Sequence, residues 1–133
     1  DFAPQMLHAA YNNEKYVCKV DPQTTLPFLG IKNAINAILQ MMGSKNIESK
    51  IRTFNVQEIS LNPKDIFVEL QKEFPEFIVD YNIDVKFQSI ADTWPENLNC
   101  DEAIKKWNFK VNNKNEIFND YLIPEIRKHY DKD

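Results

Sequence analysis

Apolar residues recur along this chain at two spacings, one of three to four residues and one of two, and their alternation lays out helices separated by short strands. Phe2, Met6, Ala9 and Ala10 stand at helical spacing, and Pro4 suits a first turn, so residues 1 to about 13 predict a helix ending at Asn12-Asn13. Tyr16-Val17-Cys18-Lys19-Val20 reads as a short strand stopped by Asp21-Pro22, followed by a loop through Thr24-Thr25-Leu26-Pro27. The clearest element is a helix from about Ile31 to Met42. There Ile31, Ala34, Ile35, Ile38, Leu39 and Met42 form one continuous apolar stripe, and Gly43 is the expected left-handed cap.

Arg52-Thr53-Phe54-Asn55-Val56 predicts a second strand, continued as an extended path through Ile59 and Leu61. Asn62-Pro63-Lys64-Asp65 starts a helix with a capping amide, a proline whose missing N–H is harmless there, and an acid facing the helix dipole. Ile66, Phe67, Leu70 and Phe74 share its inner side, and Pro75 ends it. Phe77 to Tyr81 reads as a third strand. After a Trp94-Pro95 corner, Asn99 caps a short helix with Ala103, Ile104 and Trp107. A last helix from near Asn115 places Ile117, Phe118, Tyr121 and Leu122 inward, Pro124 bends or ends it, and the charged tail from Arg127 is expected to fray. Few short strands between helices predict an α/β chain with a small, partly parallel sheet.

With 133 residues, 43% hydrophobic and 12% aromatic, the chain has the length and composition of one folded domain. A net charge of −4 and dispersed lysines exclude the clustered positive face of a nucleic-acid binder. No apolar run is long enough for a membrane helix. Cys18 and Cys100 lack metal-ligand spacing and read as free thiols of a reducing compartment, and His8 and His129 lie at opposite ends of the sequence, so no metal site is expected. The absence of an Asn-x-Ser/Thr sequon agrees with an intracellular protein. Gly30 and Gly43 are the only glycines, so the chain can spell no Gly-rich turn that would bring a dinucleotide pyrophosphate onto backbone N–H groups.

The most distinctive stretch is Gln88-x-Ile90-Ala91-Asp92-Thr93-Trp94-Pro95 with Ala103 and Trp107 after it. Together with Asp1-Phe2-Ala3, Lys15-Tyr16-Val17-Cys18, Thr24-x-Leu26-Pro27, Phe54-Asn55-Val56 and Glu73-Phe74-Pro75-Glu76-Phe77, it resembles the C-terminal region of the NAD-dependent L-threonine 3-dehydrogenases of the extended short-chain dehydrogenase/epimerase family. The resemblance implies that residues 1–133 are a single C-terminal substrate-binding domain, a fragment of a larger protein whose N-terminal nucleotide-binding domain is its partner. It also implies that NAD is held by that domain, with no cofactor-binding or catalytic residue in this chain. A small amino acid is the implied substrate, a homodimer a possible assembly, and the mitochondrion or cytoplasm the location. In the resemblance Trp94 lines the substrate pocket, with Thr24, Leu26 and Pro27 as loop contacts. The residues alone leave Trp94 open between pocket wall and core filler.

Tyr11-Asn12-Asn13-Glu14-Lys15 spells Tyr-x-x-x-Lys, the pair in which short-chain dehydrogenases use a lysine to make a phenol a general base. Here it falls at a helix end leading into a strand, and a surface Tyr and Lys is the preferred reading. Thr25 stands where the family has Arg, Asn33 where it has Asp, Asn99-Cys100 where it has Asp-Asp, and Ile104 where it has Arg. Two other functions stay open on the same scaffold. One is a non-catalytic interaction module, and the other a fragment of a nucleotide-sugar epimerase or dehydratase, against which the neutral Thr25 and Ile104 count.

Overall fold

A computed structural model describes residues 2–45 and 53–131. Helix α1 (Phe2–Tyr11) buries Phe2, Met6, Ala9 and Ala10 as its spacing requires. It lies against strand β1 (Tyr16–Cys18), helix α3 (Pro63–Glu73) and helix α7 (Ile123–Tyr130). The main core gathers Phe2 and Met6 from α1 with Cys18, Leu26, Leu61, Ile66, Leu70, Phe77, Phe118 and Ile123. Asn62 caps α3 by accepting from Asp65 N, with Pro63 in the first turn, so the sequence signal for that helix start is realised atom by atom.

The fold is α/β with a partly parallel sheet, as expected, but the strands pair in two separate ladders. Strand β1 runs parallel to β4 (Val79–Tyr81), with Tyr16 opposite Val79 and Cys18 opposite Tyr81. Strands β2 (Leu26–Phe28) and β3 (Ile59–Leu61) are antiparallel, with Leu26 opposite Leu61 and Phe28 opposite Ile59. Two corrections follow. The loop expected through Pro27 becomes a strand at Leu26. The strand expected at 52–56 is not formed over 53–56, where the chain is irregular, and begins instead at Ile59. Phe54 and Val56 are used as side chains in a second apolar cluster rather than as ladder residues. Arg52 lies outside the described residues.

That second cluster holds Ala37, Cys100, Ala103, Trp107 and Phe109, with helix α5 (Asp101–Trp107) at its centre. Helix α2 (Ile31–Gly43) leans on it through Ala37, and its apolar stripe does not become core. Gly43 closes the helix with no positive φ, and Ser44 in extended conformation caps it, so the expected left-handed glycine cap is not formed.

At the C-terminal end, α6 (Lys114–Ile117) starts with a capping box between Asn113 and Glu116. It passes through a π turn (Phe118–Leu122) into α7. Pro124 cannot donate to the carbonyl four residues back, and its ring crowds that position. The wider turn, with Ile123 N bonded to Phe118 O, moves Pro124 into the first turn of α7, so the chain neither ends nor breaks there. The tail does not fray through Tyr130. Tyr130 stacks on Tyr11 with ring centroids 4.8 Å apart, its hydroxyl meets His8 Nδ1 at 2.9 Å, and Arg127 pairs with Glu73.

Candidate functional site

Helix α4 (Val85–Ala91) begins at Asp84, whose carboxylate accepts from Lys86 N and Phe87 N, and it buries none of its own residues. Asp84 N donates to Lys19 O at 2.9 Å and Ala91 packs against the main core, and one amide adds a clamp. Gln88 Oε1 accepts from Asp21 N at 2.7 Å, while its Nε2 donates to Thr24 Oγ1 at 2.9 Å and to Asp92 Oδ1 at 2.7 Å. The 21–25 loop is thereby tied to α4. The helix closes with Trp94 N on Ala91 O at 3.0 Å. The chain beyond Pro95 is pinned by Ser60 Oγ donating to Glu96 O and Gln57 Oε1 accepting from Leu98 N. Trp94 is therefore fixed from both sides while the residue remains 58% exposed, so it does not fill the core of this chain.

Trp94 stands between two clefts. On one side a cleft of about 310 Å³ is lined by Phe2, Tyr16, Val17, Leu26, Phe87 and Ile90, with Lys19 as its cation. The Lys19 ammonium lies 5.1 Å from the Phe87 ring centroid, a cation–π contact. On the other side a polar cleft of about 320 Å³ is lined by Asp21, Thr24, Thr25, Gln88, Asp92 and Glu96. This lining carries carboxylates and no lysine or arginine.

The four residues singled out from sequence are thus only partly brought together. Thr24 faces the polar cleft and Leu26 the apolar one, and Trp94 serves both. Pro27 sits in β2 opposite Ser60 and enters neither lining. Gln88, Phe87 and Lys19 were missed as site residues. Gln88 and Phe87 belong to the Trp94 stretch, but a glutamine's role as a clamp depends on partners 64 and 67 residues away, for which no local pattern exists.

Neither Tyr16 nor Tyr11 has its phenol made more acidic by its surroundings. Burial pushes Tyr16 up to about 12, helped by the neighbouring Cys18, and its hydroxyl donates to Gln5. Tyr11 is raised by its hydrogen bond to Asp131, and Lys15 is paired with Asp80. The Tyr11 and Lys15 side chains are each committed elsewhere, in keeping with the surface reading. Cys18 is a fully buried free thiol whose pKa is raised by burial, and Cys100 is also free.

A further polar centre lies at the start of α2. The buried Glu58 carboxylate accepts from Gly30 N at 2.7 Å, Asn33 Nδ2 at 3.0 Å and Asn112 Nδ2 at 2.6 Å. Asn33 also donates to Lys110 O at 2.9 Å. This helix N-terminus does not fit a dinucleotide pyrophosphate. Gly30 N already donates to a carboxylate of the same chain and Lys32 N to the Tyr121 hydroxyl, and the carboxylate at this end of the dipole would repel a phosphate. Nor is there room at Gly30, where a Cβ would stand 2.9 Å from the Tyr121 ring and 3.1 Å from Glu58. Among the described residues no group of three or more His, Cys, Asp and Glu is placed to hold a metal ion, and no helix is long and apolar enough to cross a membrane.

No family model matches the chain. Individual proteins do. The mitochondrial L-threonine 3-dehydrogenase of Bos taurus is 33% identical over 126 residues, which is 95% of this chain and 32% of that protein. The structure of L-threonine dehydrogenase from Clostridium difficile superposes with a TM-score of 0.86 at 25% identity, over 97% of this chain and 41% of that one. The chain resembles the C-terminal region of the L-threonine 3-dehydrogenases. This threonine-dehydrogenase-like chain has the α/β arrangement of the extended short-chain dehydrogenase fold. It spans about a third of the length of the curated relatives it matches. It is also 30% identical over 110 residues to an uncharacterized epimerase/dehydratase of Staphylococcus haemolyticus, covering 82% of this chain and 35% of that protein.

The residues read from sequence as neutral departures from the family fall in separate places. Thr25 is in the polar cleft, Asn33 in the Glu58 centre, and Ile104 on the outer side of α5.

Proposed function

We propose that this chain is the substrate-side wall of an NAD-dependent dehydrogenase acting on a small hydroxy amino acid, completed by a nucleotide-binding domain that supplies NAD and the catalytic Tyr-Lys pair. The observation that carries this reading is Trp94, clamped yet exposed, dividing an apolar cleft from an acid-lined one. A flat ring there excludes water from one face of a small substrate. The carboxylates of Asp21, Asp92 and Glu96 favour a substrate ammonium group and disfavour a sugar-nucleotide diphosphate, and this supports the amino-acid reading over the epimerase one. Thr24, Leu26 and Pro27 act with Trp94, the first two as cleft lining and Pro27 by fixing the strand that carries Leu26. By itself the chain carries out no hydride transfer.

The test uses the product of the native gene and residues 1–133 alone. In the former, Trp94→Ala is expected to lower kcat/KM for threonine by roughly tenfold to a hundredfold with NAD affinity unchanged. Threonine-dependent NADH production by residues 1–133 alone, or full activity of the variant, would overturn the proposal. The outward apolar side of α2 counts against the interaction-module reading, which expects a stable monomer with no exposed apolar patch. That reading would be preferred if the native product bound no NAD.

A further inference from the structure

A polar cleft of about 320 Å³ lies between helix α2 and the chain that leads from α5 into the π turn, and it shares no lining residue with either cleft beside Trp94. Its α2 wall is a row. Lys32, Asn36 and Gln40 follow one another at intervals of four residues, which puts them on a single side of the helix over about 12 Å. The facing wall carries Asp120 from the π turn, together with Lys110 and Glu116, which pair with each other at 3.7 Å. Glu58 also lines the cleft. With Gly30 N, Asn33 and Asn112 donating to its carboxylate, it is a satisfied, fixed part of the wall and has no need of a ligand.

Four side chains in the lining are left over. Among the described residues the Lys32 ammonium, the Asn36 and Gln40 amides and the Asp120 carboxylate have no protein partner, and Lys32 and Asp120 do not pair with each other. All four are exposed. The remainder is thus one charge of each sign and two amides, each amide able both to donate and to accept.

That remainder selects a ligand class. A pure anion meets the carboxylates of Glu58, Glu116 and Asp120, and a pure cation meets the ammonium groups of Lys32 and Lys110. An apolar ligand would strip water from charged groups and offer them nothing in return. A molecule that carries both signs meets a partner for each. The volume, near the lower limit of roughly 300 Å³ for ligand sites, keeps that molecule small.

We propose that this cleft is a second small-molecule site, one that takes a free α-amino acid with an amide side chain. Its carboxylate meets Lys32, its ammonium group meets Asp120, and its side chain meets the Asn36 and Gln40 amides. The site goes beyond the proposed function and uses none of the residues assigned there to the substrate side of the dehydrogenase.

L-glutamine is the probe, and calorimetry on the native gene product reads its affinity. Saturable binding is expected with a Kd on the order of 1 mM, the strength of a few exposed polar contacts. Lys32→Gln and Asp120→Asn are each expected to weaken it roughly tenfold, the loss of one charge-assisted contact, while Trp94→Ala leaves it unchanged. Both substituted side chains are exposed, so the variants keep the fold. L-leucine, which has the same two charges and no amide, is expected to bind roughly tenfold more weakly than glutamine. Absence of saturable glutamine binding at millimolar concentrations would overturn the inference. Loss of binding in Trp94→Ala would also overturn it, by placing the ligand in the dehydrogenase cleft. Unchanged affinity in the Lys32 and Asp120 variants, or leucine binding as tightly as glutamine, would overturn it as well. Binding of glucose in place of glutamine would make the cleft a neutral-sugar site and have the same effect. Each of these failures leaves the proposed function standing, because its own test is the kcat/KM of Trp94→Ala for threonine.

Discussion

At Gly30 the reason for a glycine is close approach rather than backbone freedom, since its φ of −65° is open to any residue. A methyl group would press on the Tyr121 ring and the Glu58 carboxylate at once, and the carboxylate has three amide donors holding it. Gly30→Ala is therefore expected to destabilise the chain by about 1–3 kcal/mol, the usual range for overpacking, measured by urea unfolding. An unchanged midpoint would mean that the Tyr121 ring swings away freely. None of this was legible in the sequence. Glu58 looks like any acid between an irregular segment and a strand, and its buried role depends on Asn33 and Asn112, 25 and 54 residues distant. Trp94 was legible as a distinctive residue, whereas its exposure was decided by where Gln88, Gln57 and Ser60 anchor the flanking chain.

Among elements, those that read correctly are the ones whose signals are local. The start of α3 is set by Asn62 and Pro63, and the inner side of α1 by Phe2, Met6, Ala9 and Ala10. The charge pattern on α3 adds a pH dependence. Glu69 faces Lys72 at 2.6 Å and Lys114, from the start of α6, at 3.4 Å. Burial works to raise its pKa, but the two ammonium groups prevail and hold it below the usual carboxylate value. A carboxyl that is more acidic folded than unfolded contributes stability above its unfolded pKa and loses it as pH falls through the folded one. Glu69→Gln is thus expected to lower stability at neutral pH by about 0.3–1 kcal/mol, in line with partly exposed partners, and to make no difference once the pH is below the folded pKa. Chemical denaturation at pH 7 and in mild acid checks this, and a variant gap that widens on acidification would refute it. The elements that read incorrectly are those decided by competition. Phe54 and Val56 left a strand for an apolar cluster, and Pro124 entered a helix because a π turn made room.

For the whole molecule, the two apolar clusters predict uneven stability. Helix α1 is packed on several sides in the main core, and α2 is held by one polar centre, by Ala37 and Met41 on the smaller cluster, and at its end by the Ser44 hydroxyl on Lys106 O. Amide hydrogen exchange of residues 1–133 is expected to be slowest in α1 and α3 and fast in α2 beyond its first turn. Comparable protection of α2 would show that its stripe is covered in the isolated chain. By itself the sequence determined the longer helices in their order but not α4, together with the α/β class, the capped start of α3 and the likeness to threonine dehydrogenases, because caps, periodicity and short motifs act over a few residues. Tertiary structure alone decided which way α2 faces, which residues flank Trp94 and how the short strands pair. Those outcomes turn on hydrogen bonds and packing between residues far apart in the chain. An apolar stripe carries no mark of whether its partner lies within these residues or outside them.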